Sequence, residues 1–123
     1  MRFLFVDRIT DIQGNAIAGV KHFSVDAPMQ YANVNGTSEV APGAISEAIG
    51  QLVSWLAMSK NDFTARPIFL FADKITIDSA VKIGQSVYLH AEIEEMQGEG
   101  DGQTFVFSGE AKVDGKIVHT IKH

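Results

Sequence analysis

Along this chain the apolar residues recur at two periods, and the changes from one period to the other mark out the elements. Phe3 to Ile12 reads as a β-strand and Asn15 to Val25 as a second, with Gln13-Gly14-Asn15 as the turn between them. From Asp26 to Ala41 neither period holds, and Pro28, Asn33, Asn35 and Gly36 punctuate the stretch. A loop of about 16 residues inside a compact domain suggests a working role. Pro42 to Met58 predicts a helix, and Pro42 suits its first turn, where a missing N–H leaves nothing unpaired. Ser59 to Ala65 is a polar link. The β pattern then returns over Ile68 to Ile77, Ser86 to Met96, Thr104 to Val113 and Lys116 to Ile121. Asp114-Gly115 has the residues of a two-residue hairpin turn. Two strands, one helix and four strands predict an α+β layer fold, an antiparallel sheet wrapped around one long central helix.

The helix holds the most informative residue. Between Ala44 and Met58 the only formal charge is Glu47, whereas a surface helix carries a broad charged face. The pattern therefore predicts a helix buried nearly all round, with a thin polar line through Glu47, Gln51 and Ser54. Glu47 would then be a carboxylate in apolar surroundings, costly unless paired and suited to moving a proton. A narrow wet stripe shared with Gln51 and Ser54 accounts for the same pattern, and both readings stand at this point. The helix start adds unpaired N–H groups and a positive dipole end, suited to a carbonyl oxygen gaining negative charge.

Composition narrows the classes. The chain has 123 residues, enough for a single domain over 1–123. A net charge of −5 argues against nucleic-acid binding through a phosphate-neutralising patch. The absence of cysteine removes disulfides, thiolate metal sites and cysteine nucleophiles together. No apolar run reaches the roughly 18 residues of a membrane span, and the start meets Arg2 and Asp7 at once, so a cytoplasmic protein is expected. His22, His90, His119 and His123 have no ligand spacing and are expected to be structural or solvated. No metal and no cofactor are expected. Gly98-Glu99-Gly100-Asp101-Gly102 is an acidic loop that would repel phosphate.

The order of these elements resembles the hot-dog fold, and within it the 3-hydroxyacyl-[acyl-carrier-protein] dehydratases. The likeness rests on Phe5-Val6-Asp7-Arg8-Ile9, Val20-Lys21 through Pro28-Met29, and Pro42-Gly43 followed by Glu47-Ala48-Ile49-Gly50-Gln51. It continues in Phe71-Ala72-Asp73-Lys74-Ile75, in Val81-Lys82-Ile83-Gly84 and in Gly109-Glu110-Ala111-Lys112-Val113-Asp114-Gly115. The resemblance implies a homodimer or higher even oligomer, an acyl tunnel between paired helices, and an acyl thioester on acyl carrier protein or CoA as substrate. It places the catalytic carboxylate at Glu47, the thioester-holding N–H at Gly43, and a further substrate contact at Gln51. The family's loop histidine is not present. Counted back from Glu47, its place is taken by Asn33 in Asn33-Val34-Asn35-Gly36, and an amide cannot act as a base at neutral pH. The family's carrier-docking arginines are replaced by Thr76, Asp78 and Ser79.

Three functions fit these residues. A divergent dehydratase would use Glu47 for the proton work, with Asn33 orienting the substrate. An acyl-thioesterase on the same fold would pair Glu47 with the amide of Asn33. A non-catalytic acyl-binding subunit would keep the tunnel and no chemistry.

Overall fold

The computed structural model describes residues 6–24, 30–32, 36, 38–59, 69–71, 74–97 and 104–122. Its ten strands are β1 (Arg8–Gln13), β2 (Ala16–His22), β3 (Gln30–Ala32), β4 (Ser38–Val40), β5 (Phe69–Phe71), β6 (Lys74–Ile77), β7 (Val81–Lys82), β8 (Ser86–Gln97), β9 (Thr104–Val113) and β10 (Lys116–Lys122). The helix α1 spans Pro42–Ser59. The main sheet runs β1-β2-β8-β9-β10-β6, and β3-β4-β7 form a smaller one.

Most of the expected elements are present, with β7 as an unexpected two-residue strand beside β4 and three larger differences. The stretch expected as a loop from Asp26 to Ala41 contains β3 and β4, which pair antiparallel with each other. These strands are three residues long, too short for alternation to show. The single strand expected over Ile68 to Ile77 is two, β5 and β6. Of these, β6 pairs with β10, while β5 lies parallel to β9 along Thr104–Val106, a stretch that β10 does not reach. Among the described residues the sheet is thus antiparallel except at this one pair.

The third difference concerns the helix. Its sheet-facing side, formed by Ala44, Ile45, Ala48, Ile49, Leu52, Val53, Leu56 and Ala57, is fully buried. The opposite side is open in the single chain: Gly43 and Glu47 are exposed, Gln51 and Ser54 half-buried, and Trp55 is 42% exposed. The helix is therefore wrapped on one side rather than nearly all round. Its apolar outer positions mislead because alanine, glycine and tryptophan do not declare a face.

Close approach of helix to sheet depends on two strand glycines. A Cβ at Gly19 would stand 2.9 Å from Leu52 Cδ1 and 2.8 Å from the Arg8 carbonyl oxygen. One at Gly109 would stand 2.5 Å from Ile49 Cγ2. The β9–β10 hairpin closes as its residues foretell, with φ of 51° at Asp114 and 79° at Gly115, the double positive φ of a type I′ turn.

One irregularity bears on the site. In β10, Ile117 pairs with Lys112 and His119 with Ala111, so Val118 is an extra residue, a β-bulge. The bulge breaks strict alternation, and Val118 and His119 are both buried although adjacent.

Candidate active site

Glu47 sits on the open side of α1, and its carboxylate Oε1 accepts a hydrogen bond of 3.5 Å from Gln51 Nε2, one turn along. This is the geometry of the i, i+4 pair expected from the sequence. The apolar surroundings expected for Glu47 are not present in the single chain, because the sheet covers the other side of the helix. Ser54, the third member of the polar line, turns back to the helix and donates to the Gly50 carbonyl at 3.0 Å. Gly43 lies one turn before Glu47, on the same open side. Its N–H is among the first-turn groups that have no acceptor within the helix, whereas that of Ala44 is held by the Ala41 carbonyl at 2.9 Å. The structure thus brings Gly43, Glu47 and Gln51 together along one helix side. Asn33 lies outside the described residues.

The histidines divide. His22 Nδ1 is 3.0 Å from Ser86 Oγ at the surface, and His90 lies 4.0 Å from Glu92 on the outer side of the sheet. His123 is outside the described residues. Among the described residues no group of histidines and acids is placed to hold a metal. Among the described residues no helix is long and apolar enough to cross a membrane.

His119 is the residue that pattern reading undervalued. It is 2% exposed, and its Nε2 lies 2.7 Å from Ser46 Oγ, the helix residue just before Glu47. Burial pushes the imidazole below its ordinary value of 6.5, partly opposed by the negative charge of Asp78. Asp78 in turn accepts a long 3.4 Å hydrogen bond from Thr120 Oγ1. A cavity of about 80 Å³ opens beside His119, walled by Val40, Pro42, Ile45, Val81 and Val118. Sequence alone could not place His119 inside, because alternation read from Ile117 puts it on the outer face. Only the bulge reverses it.

A pH prediction follows. The folded chain holds the His119 ring neutral, while the unfolded chain takes up a proton as pH falls through 6.5. Stability is therefore complete above this value and declines as the pH drops below it. Melting temperatures measured between pH 7.5 and 5 should fall for the wild type and fall less for His119→Gln. Equal slopes would mean that His119 does not govern the decline.

With the helix side and its carboxylate placed, the chain can be set beside known proteins. A FabA-like domain matches residues 1–122, nearly the whole chain. The chain belongs to the FabA-like family. The 3-hydroxyacyl-[acyl-carrier-protein] dehydratase FabZ of Syntrophobacter fumaroxidans is 32% identical over 119 residues, covering 94% of this chain and 78% of that protein. The FabZ of Acinetobacter baylyi is 32% identical over 123 residues, covering 96% and 80%. Among solved structures, the dehydratase heterocomplex ApeI:P of Xenorhabdus doucetiae superposes with a TM-score of 0.69 at 17% identity, covering 97% of this chain and 79% of that one. The fold of this FabA-like chain is the hot-dog fold.

Proposed function

We propose that this FabA-like chain is a divergent dehydratase of 3-hydroxyacyl thioesters, with Glu47 as its proton carrier. The observation that carries the reading is the placement of Glu47 on the open helix side, steadied by Gln51 and one turn from the Gly43 N–H. The FabZ relatives support the same chemistry.

The reaction needs a base at C2, a holder for the thioester oxygen and an acid at the C3 hydroxyl. Glu47 as carboxylate takes the C2 proton, and the charge moves to the thioester oxygen. The Gly43 N–H and the positive end of the helix dipole stabilise it there. The carboxylic acid so formed delivers the proton to the C3 hydroxyl, which leaves as water. The carboxyl group ends as it began, so one residue can serve both steps in turn. Gln51 keeps the Glu47 carboxylate on the substrate side of the helix, and Asn33 orients the substrate from the preceding segment. A second copy of the chain, laid against the open side of α1, would cover Trp55 and supply the apolar walls that Glu47 lacks in one chain alone. The acyl group would arrive on acyl carrier protein or CoA.

A paired assay on one sample tests this. The protein is incubated with a 3-hydroxyacyl thioester and, separately, with its trans-2-enoyl counterpart, following double-bond absorbance and free thiol together. Interconversion of the two is the expected result. Thiol release alone, dependent on Glu47, would replace the dehydratase by the thioesterase. Silence in both channels would leave an acyl-binding subunit.

A further inference from the structure

A second constellation lies on the other flank of the same helix. Ser46 and Glu47 are adjacent in sequence, but about 100° apart around a helix of 3.6 residues per turn. Glu47 points to the open side, whereas the Ser46 hydroxyl meets the buried imidazole of His119 at 2.7 Å. The dehydration chemistry above uses neither. A helix serine can return its hydroxyl to a carbonyl of the previous turn, as Ser54 does to Gly50. Ser46 instead has its hydrogen bond with a ring nitrogen from another element.

From this geometry we infer that Ser46 and His119 form a serine–histidine acyl-transfer pair acting on short-chain acyl thioesters. Three observations point the same way. The hydroxyl and the imidazole are within hydrogen-bond reach, the relation required between a nucleophile and its base. In the tautomer with hydrogen on Nδ1, Nε2 accepts from the hydroxyl and is ready to take its proton. Burial disfavours the imidazolium formed when the proton moves, and the Asp78 carboxylate offsets part of that cost. The cavity lies on the His119 side of the pair, and Val40, Ile45, Val81 and Val118 with Ser79 give it a mostly apolar wall for an acyl chain. Since a dry cavity of about 150 Å³ accepts benzene, 80 Å³ takes a chain of about three carbons.

In the first step Ser46 Oγ attacks the thioester carbonyl carbon while its proton passes to His119 Nε2. The C–S bond then breaks, and the thiolate leaves with that proton as free thiol. The acyl group remains as an ester on Ser46. In the second step water attacks the ester, His119 again takes and returns a proton, and the carboxylic acid is released. Atoms and charges balance without a cofactor.

Propionyl-CoA is the probe, with free thiol followed by a colorimetric reagent and the protein followed by intact mass after acid quenching. Wild-type protein should release thiol. Ser46→Ala should release none above background, and His119→Gln should be slowed by about a hundredfold, the usual contribution of a general base. Ser46→Cys should hold one propionyl group, mapped to the peptide containing position 46. Release that depends on Glu47 and not on Ser46 would belong to the helix carboxylate and not to this pair. Circular dichroism melts confirm that each variant is folded, and Ser46→Cys carries the test if either of the other two is not. Absence of release from the wild type, undiminished release from Ser46→Ala, or loss of release only in Glu47→Gln would each overturn the proposal.

Discussion

Glu47→Gln is expected to lower hydroxyacyl–enoyl interconversion by two to four orders of magnitude (about 10²–10⁴), the range for losing a positioned general acid–base group. The substitution keeps the shape and the hydrogen-bonding reach of the side chain and removes only its capacity to carry a proton. It falls on the open side of α1, where no packed neighbour depends on it, so the melting temperature should stay close to that of the wild type. Surface changes of this kind cost within about 0.5 kcal/mol. The pairing with Gln51, at 3.5 Å and exposed, is too weak to alter that expectation. The two measurements together are decisive. Activity lost with stability kept identifies a proton carrier, and activity kept in Glu47→Gln would remove Glu47 from the mechanism.

The second large effect concerns stability. Gly109→Ala places a methyl group 2.5 Å from Ile49 Cγ2 and 3.0 Å from the His90 carbonyl oxygen. Neither neighbour yields easily. Cγ2 is attached directly to the branched Cβ of a buried helix residue, and the carbonyl belongs to the backbone of β8, which pairs with β9 at this point. The helix must lift from the sheet, or the strands must shift. Overpacking of this kind costs about 1–3 kcal/mol. For a domain of this size that corresponds to a fall of roughly 4–15 °C in melting temperature. Thermal unfolding followed by circular dichroism measures it. Combining Gly109→Ala with Ile49→Ala removes the colliding methyl, so the two losses should sum to less than their separate values. An unchanged melting temperature in Gly109→Ala alone would show that the gap between α1 and β9 is wider than the structure has it.

How far the sequence disclosed these features depends on the kind of signal each leaves. Thr104 to Val113 was readable to the residue because it runs between two strong breakers, the Gly98 to Gly102 stretch and Asp114-Gly115. The turn at Asp114-Gly115 was readable because positive φ at two successive positions selects a narrow set of residues. β3, β4 and β5 were not separately readable, being three residues each, shorter than any period can establish. The open side of α1 was hidden because its residues are small or apolar, as a covered side would also be. That Glu47 and Gln51 share one helix side was legible from their spacing of four, and that Gly43 stands at the helix start from its place after Pro42. The Ser46–His119 contact joins residues 73 apart through a register shift, and no local pattern encodes that.

The bulge at Val118 means that chain length is not equally fixed along β10. Val118 has no partner in β9, so losing it would leave Ile117 opposite Lys112 and His119 opposite Ala111, as they already are, while removing one buried side chain and the carbonyl that accepts from the Asp78 and Ser79 N–H groups. Loss of a residue just beyond it is different in kind. Removing Thr120 would turn Ile121, which is 3% exposed, to the outside and bring Lys122 inward, and would carry β6 along through its pairing with this segment. Two neighbouring single-residue deletions, two positions apart, therefore differ sharply: one shortens a strand and the other inverts the end of a sheet.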